Sequence, residues 1–577
     1  MTSSVASTGL ASLAGRYWRF VCHEQPLTAI LAGEATQDAV VFRESGADYE
    51  RRYRLAAEML DALGAIAPDG LAPDDRATHA LLAHELRGIR TLHEVGAHRR
   101  PSLFPNGPAL MTSHFANTTA VSDAASAELY VDRLATVPAY LRDLEGNLRA
   151  GHRDGIRYPR LVLDLAVAAV RGAFAGPAEA SPLLGPFARS AAAGRDSVRA
   201  VAERTRALIA AELAPAFEAF ARFLEGPLAE GARDTIACTD APGGREFYRA
   251  VVRNFVTTDA SPEEIHGLGL SEVERLAKEI EAVAAEAGYP NNLDGYRRLL
   301  AGDAFFAPSK EALRERIEAL SKRIDRRIPA FFGRIPRITY GVETMPEAMS
   351  ERMPPAYAQP SPADRSEAGI HWVTALPTRF PIYLQPAVAL HEAWPGHLMH
   401  LALIQEADGL PAFRRHGGLR FSVCIEGWAV YCEGLGEEMG VYRTPHERYG
   451  RLESEMWRAL RLVVDTGIHW AGWDRERAIE AMAARMALPR PTIAAEVDRY
   501  IAWPGQALVY QIGNLEIRAL RQRAERELGE RFSHRAFHDA VTGAGPVTMP
   551  VLRLLVGDWL DRRTGRRSES EVSDARA

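Results

Sequence analysis

The chain has 577 residues, which is long enough to bury more than one apolar core and excludes a small single-motif protein. Its 69 Lys and Arg residues nearly balance its 75 Asp and Glu residues, leaving a formal net charge of -6 and an isoelectric point of about 6.3. This balance excludes a general electrostatic drive toward nucleic acid or an anionic membrane surface.

The start of the chain carries no export pattern. Residues 1–20 lack the basic segment followed by an apolar segment that is typical of a signal peptide, and no apolar run reaches about 20 residues. The four cysteines are too few and too scattered to indicate a disulfide framework. We therefore expect a soluble cytoplasmic protein that binds no membrane and no nucleic acid. The sequence leaves its oligomeric state open.

Most of the chain shows apolar residues at helical spacing, which predicts a mainly α-helical protein. A Ser-Pro-Glu-Glu string at residues 261–264 is typical of a capped helix start with proline in the first turn. Residues 337–342 and 369–376 carry β-branched and aromatic residues at strand spacing between Pro and Gly. They predict a small β-sheet that precedes residue 391.

Breaks in the helical periodicity divide the chain into three predicted parts. Proline, glycine and small residues interrupt the pattern near residue 241, where we place a domain boundary. We expect an N-terminal helical domain at residues 1–240 and a second domain at residues 241–565. The polar residues 566–577 predict a disordered tail.

The most informative stretch is HEAWPGH, residues 391–397. A helical H-E-x-x-H motif puts two imidazoles on one face, whereas His391 and His397 would lie about 120° apart around a straight helix and about 9 Å apart along it. Pro395 breaks a helix, and Gly396 permits backbone angles that are closed to other residues. A metal site therefore requires a distorted turn at these two residues. The alternative is a histidine-rich helix end without metal.

A third ligand for such a metal is available about 30 residues further on. Glu426 and Glu433 are seven residues apart and fall on nearly the same face of a predicted helix. Glu426 lies in the more apolar context and is the better candidate, whereas Glu433 stands near other glutamates and is expected to be a solvated charge. Cys424 and Cys432 are alternative ligands, although buried helical thiols more often pack in a core.

Two further stretches are unusual for a helical core. Asp465 and His469 are four residues apart, a spacing at which a carboxylate can orient an imidazole, and their apolar neighbours disfavour a surface ion pair. A second W-P-G string at residues 503–505 is flanked by Tyr500 and Tyr510. A single tyrosine is usually amphipathic core, but near a metal it can donate a hydrogen bond to an oxyanion.

Five segments together resemble the bacterial DUF885 family, a set of proteins regarded as zincin-like metallopeptidases. They are VVRNFVTTDASPEEIHGLGLSEVERL, HEAWPGH, EGWAVYCE, RLVVDTGIH and PGQALVYQIG, in this order between about residues 245 and 560. The resemblance implies a zincin-like catalytic domain with the small sheet next to the metal-binding helix. It also implies one Zn²⁺ per chain, with His391, His397 and Glu426 at the family's ligand positions.

One departure from the family pattern concerns the residues just after the metal ligands. The family commonly reads H-E-A-x-P-G-H-H-x-Q, whereas this chain has Leu398 and His400 at the second-histidine and glutamine positions. We therefore expect substrate contacts near His400 to differ from those of other members.

These patterns favour a zinc-dependent hydrolase that cleaves a peptide or amide bond by means of activated water. In this hypothesis Glu392 is the general base, His469 or Tyr510 stabilises the oxyanion, and an arginine pairs with a substrate carboxylate. The strand at residues 369–376 could hold an extended peptide at its edge. The expected substrate-binding residues are Arg458, Arg461, Tyr500 and His400.

Two other functions fit the same patterns. A zinc site can also polarise the carbonyl group of a small non-peptide metabolite, so a hydrolase or lyase of a biosynthetic pathway is one alternative. The other is a metal-free helical binding protein in which HEAWPGH is only a strained turn. Two imidazoles and a carboxylate suit zinc best, although other divalent ions accept the same ligands.

Overall fold

A computed structural model describes residues 2–565 of the protein, except residues 35, 37, 352 and 417. Helices make up 69% of the structure, which confirms the mainly α-helical fold. The predicted tail at 566–577 lies outside the described residues. Within the part of the chain that is described, no helix is long and apolar enough to span a bilayer.

The helices are numbered α1 to α27 in chain order. Their bounds are α1 Thr2–Glu24, α2 Pro26–Leu31, α3 Gly46–Gly64, α4 Pro73–Glu94, α5 Pro108–Thr118, α6 Ala124–Ala135, α7 Val137–Arg153, α8 Arg160–Gly172, α9 Gly185–Arg189, α10 Asp196–Leu208, α11 Ala214–Glu225, α12 Gly244–Val256, α13 Pro262–Glu286, α14 Leu293–Leu300, α15 Lys310–Asp325, α16 Ile328–Phe331, α17 Glu347–Ser350, α18 Gln385–Glu392, α19 His397–Gln405, α20 Ala412–His416, α21 Ser422–Leu435, α22 Pro445–His469, α23 Arg475–Ala483, α24 Arg490–Ala502, α25 Val509–Leu528, α26 His534–Thr542 and α27 Met549–Thr564. The predicted capping box at the start of α13 is present, with Ser261 and Glu264 bonded to each other's backbone N–H groups.

A three-stranded sheet precedes α18, as predicted. It consists of β1 Tyr340–Thr344, β2 Ala356–Gln359 and β3 Gly369–Val373, in the spatial order β1-β3-β2. β3 pairs in parallel with β1 and antiparallel with β2. The prediction that the strand at residues 369–376 offers a free edge to a peptide is wrong, because β3 is the central strand and is paired on both sides.

β1 and β2 are the outer strands, and among the described strands each pairs only with β3. The Thr374 N–H donates to the Pro355 carbonyl oxygen, and the register pairs Ala356 with Val373 one position further along. Because antiparallel pairs alternate between hydrogen-bonded and non-hydrogen-bonded positions, the main-chain groups of Ala356 and Ala358 point away from β3. Among the described strands none pairs with this outer edge of β2.

One apolar core joins the two ends of the chain. Side chains of α1, α3 and α4 share this core with side chains of α15, α21, α25 and α27. A second core lies entirely between Leu27 and Ala229. The division near residue 240 stays a prediction, and the described packing shows that residues from both sides of it contribute to the first core.

The helix that carries Glu426 lies unusually close to α25. A Cβ atom on Gly427 would be 2.4 Å from the Gly513 Cα atom, and a Cβ atom on Gly513 would be 2.0 Å from the Val423 carbonyl oxygen. The two helices therefore touch through their backbones at the residue next to Glu426. This contact fixes the position of α21 relative to α25.

We expect Gly427→Ala to destabilise the protein by about 1–3 kcal/mol, because the added methyl group forces α21 and α25 apart. Gly434→Ala is the matched control on the same helix, since no atom lies within 4 Å of its Cβ position. That control should be neutral or stabilising by up to about 1 kcal/mol. Thermal unfolding of both variants checks this, and equal unfolding temperatures would contradict the close approach.

Candidate metal centre

The HEAWPGH segment is a helix break. α18 ends at Glu392 and α19 begins at His397, which confirms the predicted distortion between them. Gly396 is required there, because a Cβ atom would lie 1.9 Å from the His391 carbonyl oxygen and 2.4 Å from that of Leu390. The chain therefore folds back onto the last turn of α18 at a point where only glycine fits.

The break brings the two histidine side chains together. The ring centroids of His391 and His397 are 4.7 Å apart, with the ring planes at 87°. Trp428 of α21 donates its indole N–H to the Pro395 carbonyl oxygen at 2.9 Å. This bond ties the broken segment to the helix that supplies the third candidate ligand.

Glu426 completes a group of three potential ligands. Its Oε2 atom lies 3.5 Å from Nε2 of His391 and 3.4 Å from Nε2 of His397. One donor atom of each residue lies within 4.8 Å of the others, and within the described residues this is the one group of His, Cys, Asp and Glu side chains that meets the criterion. The alternative ligands Cys424 and Cys432 are buried in the first apolar core instead.

The spacing of the group suits a tetrahedral zinc ion. Bonds of about 2.0–2.1 Å separate two tetrahedral ligand atoms by about 3.3 Å, which is close to both nitrogen–oxygen distances observed here. Oε2 of Glu426 is buried and has no hydrogen-bond donor among the described groups. Burial alone would raise the pKa of Glu426, but the imidazoles of His397 and His391 outweigh it and hold the pKa well below its usual range.

A second carboxylate orients the first histidine. Nδ1–H of His391 donates to Oε1 of Glu433 at 2.8 Å, and the Arg458 guanidinium lies 3.5 Å from the same oxygen. Burial lowers the pKa of His391, but the adjacent carboxylates of Glu426 and Glu433 raise it to about 9. Because Glu433 is only 1% exposed, the prediction of a solvated charge is wrong.

The role predicted for Arg458 needs a correction as well. Its side chain is 12% exposed and its charge is opposed to that of Glu433, so it neutralises the carboxylate behind His391. It acts on the candidate ligand His391 through Glu433 and is not a free partner for a substrate carboxylate.

Glu392 lies between the imidazoles and the free edge of β2. The backbone N–H of Ala358 donates toward its carboxylate. Burial and the nearby charge of Glu426 raise the pKa of Glu392, and the imidazoles of His391 and His397 only partly oppose this rise. A carboxylate with a raised pKa beside a candidate metal site is well suited to accept a proton.

Tyr510 lies near Glu426, and Arg461 lies against its ring. The Arg461 guanidinium is 4.3 Å from the centroid of the half-buried Tyr510 ring. Burial raises the pKa of Tyr510, and the negative charge of Glu426 raises it further. The phenol is therefore a protonated donor near the predicted zinc ligand.

Arg461 is held in place by a buried polar cluster. Its Nε donates to the Tyr500 hydroxyl oxygen at 3.1 Å and its Nη2 donates to Glu496 at 3.2 Å. Glu496 also accepts from the Tyr500 hydroxyl at 2.8 Å and from Arg499 at 3.1 Å. Nη1 of Arg461 is buried and has no acceptor within the described residues.

This cluster changes the role expected for Tyr500. The side chain is 0% exposed and its hydroxyl group is fully engaged with Arg461 and Glu496, so it cannot also contact a substrate. Tyr500 positions Arg461, which keeps one pair of N–H donors free.

His469 does not fit its predicted role as an oxyanion donor. Its Nδ1 accepts the Cys238 backbone N–H at 3.1 Å, and its Nε2 lies 2.9 Å from the Tyr500 carbonyl oxygen, to which it donates. Burial lowers the pKa of this imidazole to about 4, so the ring is neutral. Both nitrogens are used by the backbone, which leaves none for a substrate.

Asp465 is likewise not the partner of His469. Its carboxylate accepts the Tyr248 hydroxyl group at 2.6 Å and the Gly505 backbone N–H at 3.0 Å. Asp465 and His469 therefore fix the segment from Tyr500 to Gly505 onto α22, and both are structural.

His400 is also buried rather than available to a substrate. It is 1% exposed, its ring lies 5.8 Å from that of Trp428, and burial lowers its pKa to about 3. Neither ring nitrogen has a partner among the described groups. The burial of His400 beside Trp428 leaves it no exposed face for the expected contact with a substrate.

Sequence reasoning gave Glu433 the wrong role and missed two other residues of this site. Glu496 carried a usable signal, since it is four residues before Tyr500. Ala358 carried none, because its contribution is a backbone group on a strand edge.

Solved structures resemble the whole chain. The crystal structure of a "putative lipoprotein" from Colwellia psychrerythraea superposes with a TM-score of 0.88 at 25% sequence identity, covering 96% of this chain and 99% of that chain. A "putative lipoprotein of unknown function" from Shewanella oneidensis gives a TM-score of 0.73 at 17% identity over 95% of this chain and 99% of that chain, which shows a shared fold.

Sequence comparison gives a family but no curated relative. No curated protein matches the chain significantly. The sequence profile named "Bacterial protein of unknown function (DUF885)" matches residues 26–556, which is nearly the whole chain. The protein is therefore a member of the DUF885 family.

Proposed function

We propose that the protein is a zinc-dependent hydrolase that cleaves a peptide or amide bond. The observation that carries this proposal is the group of His391, His397 and Glu426 at the spacing of tetrahedral ligands. Glu433 behind His391 supports it, because metal-binding histidines commonly donate their second N–H to a carboxylate. A zinc ion held here would lower the pKa of a bound water and polarise the scissile carbonyl group.

The protein's own side chains supply the proton transfers. Glu392, with its raised pKa, takes a proton from the attacking water and returns it to the leaving amine. Tyr510 donates a hydrogen bond from its phenolic O–H to the oxyanion, and the positive charge of the adjacent Arg461 adds to this stabilisation. His469 has no part in this scheme.

The surroundings favour a peptide that ends in a free carboxylate. The outer edge of β2 lies next to Glu392 and pairs with no described strand, and such an edge can pair with an extended chain. The free Nη1 of Arg461 can pair with a carboxylate by a charge-assisted hydrogen bond. Together these groups suit a short segment at the C-terminus of a peptide.

The first prediction concerns metal content. Protein purified without chelator or metal-affinity resin should hold about one zinc per chain, and His391→Ala should lose it because only two ligands remain. Glu433→Gln should bind zinc about 10- to 100-fold more weakly, since the histidine loses its orienting carboxylate. Elemental analysis and a zinc titration check this. His23→Ala, at a largely exposed histidine, is the control that should keep its zinc.

The second prediction separates metal binding from turnover. Glu392→Gln should retain zinc but lower kcat on a cleaved peptide by about 10²-fold or more, because the general base is gone. Glu343→Gln, on β1, is the control and should leave kcat unchanged. Unchanged turnover in Glu392→Gln would exclude the proposed base. Reaction of small amides or acids, with no cleavage of any peptide, would instead favour the metabolite alternative.

The third prediction concerns the substrate carboxylate. Arg461→Lys should raise KM about tenfold or more for a peptide with a free C-terminal carboxylate and change it little for the same peptide as an amide. Arg448→Lys, at the other end of α22, is the control. An equal change for both peptides would show that Arg461 serves only to hold Tyr500 and Glu496.

A further inference from the structure

The outer face of the small sheet carries a row of three side chains. The register places Glu343 of β1, Trp372 of β3 and Tyr357 of β2 side by side, and each of them is at least partly exposed. Residues paired in register point to the same face of a sheet. The opposite face carries Val342 and His371, which are buried. The row therefore lies on the face of the sheet that a ligand can reach.

Tyr357 is the member of this row at the unpaired edge. Its ring is nearly parallel to that of Trp372, with the ring centroids 6.2 Å apart and the ring planes at 22°. Gln359 accepts the indole N–H of Trp372 at 2.9 Å, and the Tyr357 hydroxyl group donates to Sδ of Met349 at 3.7 Å. These contacts hold both rings in place. Because Trp372 lies against one face of the Tyr357 ring, the other face is turned toward the outer edge of β2.

A peptide that extends the sheet at this edge meets the Tyr357 ring at one position. The outward main-chain groups of β2 belong to Ala356 and Ala358, and the N–H of Ala358 is directed to Glu392. In an antiparallel pairing, the peptide residue opposite Tyr357 is at a non-hydrogen-bonded position, where the Cα atoms are only about 4.5 Å apart. Its side chain lies on the outer face, and its neighbour along the peptide lies opposite Ala358, beside Glu392.

We propose that Tyr357 selects peptides with an aromatic side chain close to the cleaved bond. The aromatic ring stacks on the free face of Tyr357 and extends the row that starts at Trp372. Peptide side chains opposite Ala356 and Ala358 point to the other face of the sheet, where the two alanines offer no comparable surface. The inference rests on the proposed hydrolase function, since it specifies the substrate of the same site.

The test uses acetylated hexa-alanine with a free C-terminal carboxylate and variants in which phenylalanine replaces one alanine at a time. For one position, kcat/KM of the wild type should exceed that for hexa-alanine at least about threefold. Mass spectrometry should place this phenylalanine next to the cleaved bond or one residue further along. In Tyr357→Ala the ratio should fall to about one, because the ring is gone. Tyr357→Phe keeps the ring and is the matched control that should keep the ratio.

A binding measurement adds a readout without turnover. Isothermal titration of Glu392→Gln with the preferred peptide and with hexa-alanine should give a similar ratio of Kd values. Cleavage without a gain from phenylalanine at any position would overturn the inference, and this result needs only the wild type. A gain that persists in folded Tyr357→Ala would overturn it as well. Cleavage of no peptide would contradict the proposed function itself, together with the inference that rests on it.

Discussion

The arrangement of the candidate centre depends on one backbone contact, the approach of Gly396 to the carbonyl groups that end α18. The space there is too small for any Cβ atom, so the chain reverses sharply between His391 and His397. Without this reversal the two imidazoles would diverge along a continuous helix. The Trp428 hydrogen bond to Pro395 ties the reversal to α21. The contact of Gly427 with Gly513 fixes the position of α21, which carries Glu426, relative to α25.

Charged side chains around the centre form one pair and one group of three, each with both signs of charge. On one side Arg458 offsets Glu433, which in turn orients His391. Near Tyr510, Glu496 offsets the charges of Arg461 and Arg499, and Nη1 of Arg461 has no acceptor among the described groups. Buried ions are costly unless they are paired and hydrogen-bonded, so both arrangements hold their members in single geometries.

The sequence predicts the helix break and the group of candidate ligands, but it does not predict which partner each polar side chain binds. HEAWPGH contains its own helix break, and the apolar context of Glu426 identifies it, because both signals are local. The spacing of Asp465 and His469 predicts that they pair, yet each binds backbone groups that are remote along the chain. The burial of Glu433 and the central place of β3 likewise follow from tertiary packing, which no local pattern contains.

The unpaired outer edge of β2 bears on aggregation of the protein in solution. Unpaired main-chain groups on an edge strand can recruit a strand from another molecule and so begin aggregation. β2 has only four residues, and the adjoining Pro355 and Pro360 lack the N–H groups that a longer ladder would need. The strand is therefore long enough for a brief encounter with a short extended chain and too short to seed a stable intermolecular sheet.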